Sequence, residues 1–280
     1  MKGNTNIKDT ESMQKSRRKF FLNIGVTGLG IISSPSILMA KNHNKHYLKN
    51  RKRKGLTFLF QGDSITDGKR LRDNDWDWNH LMGHGYAYLI ASRLWYDYVN
   101  EDLMFYNRGN SGNKIQDLNA RWQQDTIDLN PDVLSILIGV NDVPKIIENE
   151  YSIKKWEETY IEVLDKTTKT LPNTQIVLCE PFILPSYDMA RIDWTKEKTE
   201  SYLRVISEMQ KIVRQLAETY DAIFIELQQP FLDACKKAPA KYWIWDGIHP
   251  MPVGHELIAR LWIKEVSKNL DFTEHNYIKD

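Results

Sequence analysis

The sequence predicts an α/β protein: a single doubly wound domain with a five-stranded parallel sheet flanked by helices. Two observations carry that expectation. From Gly55 onward, short apolar runs alternate with helical patterns, the order of a βα-repeating chain. The runs are also apolar almost throughout, as strands covered on both faces must be, where a half-exposed strand would alternate. The runs are "LTFLF" (56–60), "LMFYN" (103–107), "VLSILIG" (133–139), "QIVLCEPF" (175–182) and "AIFIEL" (222–227). Helical patterns cover Tyr86–Tyr98, Ile115–Leu129, Ile153–Leu171 and Lys196–Tyr220, and a last one runs from about Val253 to Asn269. Asn130-Pro131 and Leu171-Pro172 stop two of them just before strands, because the residue before a proline is pushed out of the helical region.

The 280 residues, 41% hydrophobic and 27% charged, are enough for a sizeable core in a globular protein. The net charge of +1 conceals a division. Residues 1–54 hold 13 Lys and Arg against 2 Asp and Glu, leaving 25 basic and 35 acidic residues in 55–280, a balance of −10. An acidic body argues against nucleic acid as a partner, since phosphate binding needs the opposite sign. The two cysteines, Cys179 and Cys235, make no disulfide framework and no metal-ligand spacing.

In the leader, "SRRKFFLNIGVTGLGIISSPSILMA" sets Arg17-Arg18 directly before a moderately apolar stretch that ends near Ala40. Paired arginines in that place look like a twin-arginine export signal, which predicts a periplasmic or extracellular protein. An uncleaved membrane anchor is the other reading, and the glycines, serines, Asn23 and Pro35 weaken it. The expected organisation is a leader over 1–40, a basic linker over 41–54, the α/β domain over 55–272 and a tail over 273–280. No stable membrane association is expected after export.

In a doubly wound sheet, ligands bind beyond the carboxyl ends of the strands. Polar motifs stand at those positions: Gly62-Asp63-Ser64 after the first run, "NRGNSG" (107–112) after the second and "GVND" (139–142) after the third. A nucleophilic serine needs a base, an acid to orient the base, and donors for a developing oxyanion. "DGIHPMPVGH" (246–255) supplies Asp246 and His249, three residues apart across a glycine. That spacing lets the carboxylate reach Nδ1 and leaves Nε2 free for a hydroxyl. Taken singly, each motif also reads as a turn.

Together, "GDSI", "NRGNSG", "GVND" and "DGIHP", in this order, resemble the SGNH hydrolases, also called the GDSL esterase/lipase family. The resemblance covers nearly all of 56–270 and implies a flavodoxin-like sheet. It implies Ser64 as nucleophile, His249 as general base and acid, and Asp246 as its partner. The oxyanion donors would be the N–H groups of Ser64 and Gly112 and the side-chain amide of Asn141. It implies acyl transfer and hydrolysis with no metal or organic cofactor. Asn107 and Gly109 read as residues that shape their loop.

The loops bear on which ester is the substrate. "KRLRDNDWDWNHLMGHGYA" (69–87), "RW" at Arg121-Trp122 and "GVNDV" resemble exported members acting on acylated carbohydrates. Trp76, Trp78, His84 and Trp245 are the candidate substrate-binding residues. The tryptophans fit either a sugar-stacking wall or loop packing. Asp73, Asp75 and Asp77 lack the glycine and distal glutamate of a calcium loop, and His80 and His84, at i and i+4, have no evident third metal ligand. The 183–195 segment reads either as a second substrate loop or as plain surface. A carbohydrate O-acetyl esterase is the favoured reading, since a loop rich in charge and tryptophan offers little aliphatic surface for a long acyl chain. A lipid-type acyl esterase is the alternative, and an inactive glycan-binding module the remote one.

Overall fold

The computed structural model describes residues 54–72, 78–186 and 191–270. The expected leader, the linker up to Arg53 and the tail lie outside the described residues, as does Trp76. The described chain runs β1 (Thr57–Gly62), α1 (Ser64–Asp67), α2 (Trp78–Leu81), α3 (Tyr86–Asp97), β2 (Met104–Asn107), α4 (Ile115–Ala120) and a π turn (Gln123–Ile127). It continues with β3 (Val133–Leu137), α5 (Val143–Ile147), α6 (Ile153–Thr170), β4 (Gln175–Cys179), α7 (Lys196–Thr219), β5 (Ile223–Ile225), α8 (Gln228–Ala234), α9 (Ala240–Trp243) and α10 (Pro252–Leu270).

The five strands pair in parallel in the order β2-β1-β3-β4-β5. Phe60 lies opposite Asn107, and Gly62 opposite Leu137, so the carboxyl ends of β1, β2 and β3 finish side by side. Every residue of β3 and β4 is buried, which explains their unbroken apolar reading. On one face, Phe58 stacks on Phe105 at 4.8 Å, and Phe60 meets the rings of Tyr86 and Trp262. Such a ring pair adds about 1 kcal/mol beyond the area it buries. Trp262 of α10 also donates its indole N–H to Ser135 Oγ of β3 at 3.0 Å, which satisfies both groups in the interior. Side-chain caps start the two longest helices of the opposite flank. Ser152 accepts from the Lys155 N–H to open α6, and Thr195 accepts from the Lys198 N–H to open α7.

One element differs from its sequence pattern. The stretch 115–129 reads as a single helix, but α4 stops at Ala120 and gives way to the π turn. The reason lies on β1. Buried Gln61 sends its amide N–H groups to the Asp125 carbonyl and to Thr126 Oγ1, each at 2.8 Å. A side chain inserted into a helical ladder is a recognised cause of such a bulge.

Candidate active site

The chain turns sharply after β1 because nothing larger than glycine fits there. A Cβ on Gly62 would stand 2.3 Å from Thr66 Oγ1 and 2.4 Å from the Leu137 carbonyl oxygen. Asp63 caps the short helix α1 by accepting the Ile65 N–H at 3.0 Å, and Gly68 ends it in the left-handed region at φ 52°. Ser64 is the first residue of that helix and is half-buried.

Ser64 Oγ lies 2.8 Å from His249 Nε2, and His249 Nδ1 lies 2.7 Å from Asp246 Oδ2. The acid comes from the turn that carries the base. Asp246 Oδ1 accepts the N–H groups of Ile248 at 3.0 Å and His249 at 2.7 Å. Burial alone would raise the pKa of Asp246, but the His249 ring and these two N–H groups outweigh it and hold the carboxyl below its ordinary value. A carboxylate kept ionised fixes the ring so that Nε2 faces the serine as an acceptor.

The turn is buttressed from the 183–195 segment. Trp194 is buried and donates its indole N–H to the Asp246 carbonyl at 2.8 Å, and the Leu184 N–H reaches the Gly247 carbonyl at 2.8 Å. Residues 187–190 of that segment lie outside the described residues.

The loops that follow the second and third strands leave the same edge of the sheet as Ser64. Gly112 sits at φ +84°, and a Cβ there would meet nothing within 4 Å. Among the described residues its N–H has no acceptor. Asn141 Nδ2 donates to the Asn113 carbonyl at 3.1 Å, which fixes the amide and leaves its second N–H free to point elsewhere. The loop bearing Gly112 is tied to α1 by Asp67, whose Oδ2 accepts the Ser111 N–H at 3.0 Å and the Ser111 hydroxyl at 2.6 Å. Asn107 binds the carbonyls of Thr66 at 2.7 Å and Met82 at 2.9 Å, and its Oδ1 accepts the Gly109 N–H at 2.9 Å. Both residues shape the loop, in keeping with their sequence reading. The arrangement has the parts for acyl transfer: a hydroxyl, an oriented imidazole, and N–H donors free to receive negative charge.

Two carboxyls below this constellation are unusual. Burial pushes Asp63 and Asp142 up to about 7 each, although Asp63 accepts the Ile65 N–H and Asp142 accepts the Tyr151 hydroxyl and Ile115 N–H.

Ser64 and His249 open into a cavity of about 480 Å3 whose wall also includes Lys69, Ser111, Arg191 and His255. His84 and Trp245, expected at the substrate site, line this cavity. Trp245 stacks near His249 at 5.9 Å and beneath the Arg191 guanidinium at 5.1 Å. Trp243 does not join it, packing instead with its indole N–H on the Ala238 carbonyl at 3.1 Å. The Trp78 side chain lies outside the described residues. Lys69, Ser111, Arg191 and His255 carried no expected role. His255 Nδ1 accepts the Tyr86 N–H at 3.1 Å, so its Nε2 is the protonated nitrogen. Burial, then the proximity of His84 and His249, lowers its pKa to about 4 and keeps the ring neutral.

A comparison with family models matches residues 60–257 to the GDSL-like lipase/acylhydrolase family. The chain belongs to that family. An acetylxylan esterase of Geobacillus stearothermophilus is 29% identical over 212 residues, which cover 76% of this chain and 94% of the relative. The crystal structure of that esterase superposes with a TM-score of 0.65 at 27% identity, covering 81% of this chain and 98% of the other. A Parabacteroides merdae structure described as GDSL-like lipase gives a TM-score of 0.70 at 39% identity, over 78% of this chain and 98% of that one. As a member of this family, the chain is an ester hydrolase built on the five-stranded parallel sheet.

Proposed function

We propose that the protein is a serine esterase that removes O-acetyl groups from carbohydrates through an acyl-enzyme at Ser64. The observation that carries the proposal is the unbroken line from Ser64 Oγ to His249 to Asp246, at 2.8 and 2.7 Å. His249 Nε2 takes the Ser64 proton as Oγ attacks the ester carbonyl. The oxyanion is received by the N–H groups of Ser64 and Gly112 and by the Asn141 amide. The C–O bond to the sugar breaks as His249 returns the proton to the departing alkoxide oxygen. Water then attacks the acyl-enzyme, His249 removes its proton, and acetate and free Ser64 are released. Alanine substitutions of a serine and an aspartate in the Geobacillus relative are described as catalytic mutants, which supports giving Ser64 and Asp246 these roles.

The carbohydrate part rests on the cavity and on that relative. The wall sets Lys69, His84 and Arg191 beside the Trp245 ring, Pro250, Met251 and Pro252, a mixed lining that offers polar groups to hydroxyls and an aromatic face to a sugar ring. Export through the Arg17-Arg18 leader would bring the enzyme to polymeric glycans. The test is acetate release from a panel of acetylated oligosaccharides, with Ser64→Ala as control, beside 4-nitrophenyl acetate and octanoate. Release that survives Ser64→Ala overturns the mechanism. Strong preference for octanoate overturns the substrate class.

A further inference from the structure

Among the described residues, the charged side chains on the cavity wall are cations, whereas the domain as a whole is acidic. Residues 55–280 carry a balance of −10. Yet among the described residues, the cavity wall carries Lys69 and Arg191 beside His84, His249 and the neutral His255, and no carboxylate joins them. Lys69 is exposed and has no anionic partner among the described residues. Arg191, 59% exposed, sits over Trp245 with its guanidinium 3.5 Å from Asp246, a carboxylate already committed to His249.

The excess continues behind the rim. Arg70 spends its guanidinium on uncharged acceptors, the Gly109 carbonyl at 3.0 Å and Asn110 Oδ1 at 3.5 Å. Arg108 rests over the Tyr106 ring at 5.8 Å. Arg121 reaches Asn113 Oδ1 and Asp125, while its buried Nη2 has no acceptor among the described residues. Arg72 shares Asp67 with Ser111. Burial, and then the repulsion of Arg108, lowers the pKa of Arg70 against the pull of Asp67, with Arg72 and Arg121 adding smaller repulsions. Asp67 and Asp125 offset part of this charge, and a cleft whose wall carries one sign focuses its field on what enters. A neutral xylan segment would make no use of that field.

We propose that the substrate is an acylated acidic glycan whose uronic-acid carboxylate is held at the cavity rim by Lys69 and Arg191. This rests on the carbohydrate esterase reading above and narrows it. The carboxylate would lie on a sugar next to the acetylated one, near enough to bridge Lys69 to Arg191 while the ester reaches Ser64. The arginines behind Lys69 contribute field rather than contact.

The experiment compares kcat/KM for acetate release from acetylated xylo-oligosaccharides bearing glucuronic acid with that for the same oligosaccharides after its removal. Reading the ratio within each protein cancels any change in chemistry common to both substrates. The acidic substrate should be favoured roughly fivefold at low salt, the range expected of two partly exposed charge contacts. The preference should collapse towards unity at about 1 M salt, where the screening length is about 3 Å. Lys69→Gln should reduce the ratio and Lys69→Arg should keep it. Equal rates on the two substrates, or a preference for the neutral one, overturn the inference and leave the esterase reading standing. Release from neither, with 4-nitrophenyl acetate still turned over, overturns the glycan reading and this inference with it.

Discussion

Asp63, directly before the proposed nucleophile, makes the protein's stability depend on pH in a direction unusual for a carboxylate. In the unfolded chain it releases its proton near 3.8, whereas in the folded protein burial holds the proton up to about 7. Between those values the folded state binds more protons than the unfolded state, so stability falls as pH rises. A proton retained over about three pH units corresponds to about 4 kcal/mol, lost by pH 8 and absent as a penalty at pH 4. Asp63→Asn keeps an oxygen for the Ile65 N–H and cannot ionise, so the penalty disappears. For a domain of this size the variant should melt roughly 8–16 °C above the parent at pH 8 and close to it at pH 4. The assay is the melting temperature of both proteins by calorimetry from pH 4 to pH 8. Asp142, also pushed up to about 7, should leave a residual slope in the variant. Parallel curves, or a variant less stable at pH 8, would refute the linkage argument.

Other outcomes follow from single contacts. Asn141→Ala should lower kcat on 4-nitrophenyl acetate about 10²–10³-fold with little change in KM, the pattern of a donor used in the transition state. Asp67→Ala releases both contacts to Ser111 and should lower kcat about tenfold by loosening the Gly112 loop, with Asp67→Asn recovering part of the loss. An unchanged kcat in Asp67→Ala would show that the loop holds itself. Gly247→Ala would set a Cβ 2.4 Å from Trp194 Nε1 at a φ of +91°, so thermal denaturation should show a loss of about 2–4 kcal/mol together with activity.

The parts of the molecule legible in the sequence were those fixed by local chemistry. Continuous apolar runs gave β3 and β4 because both faces of the sheet are covered. The helix ends at Asn130-Pro131 and Leu171-Pro172 were legible because proline acts on its neighbour. Ser64, Asp246 and His249 stand at a strand end and in one short turn, and the fold brings them within hydrogen-bond distance, whereas Gly112 and Asn141 are named through the family resemblance. What escaped depends on packing between distant segments. The π turn is imposed by Gln61, more than sixty residues earlier in the chain than the Asp125 carbonyl it binds. Lys69, Arg191 and His255 come to one wall only through the crossovers, and no spacing in the chain announces that meeting. His255 lay in a stretch already singled out, but its fixed tautomer depends on the Tyr86 N–H of another helix.

Ser64 and His249 are 185 positions apart, with four of the five strands and most of the helices between them. A growing chain therefore carries the hydroxyl long before it owns a base to activate it. The reacting pair forms only when the α9–α10 connection docks against the β1 end, so hydrolysis requires the two ends of the domain to have met. Return of esterase activity after dilution from denaturant thus times that long-range contact, while fluorescence from buried tryptophans such as Trp122 and Trp156 times the closing of the core around them.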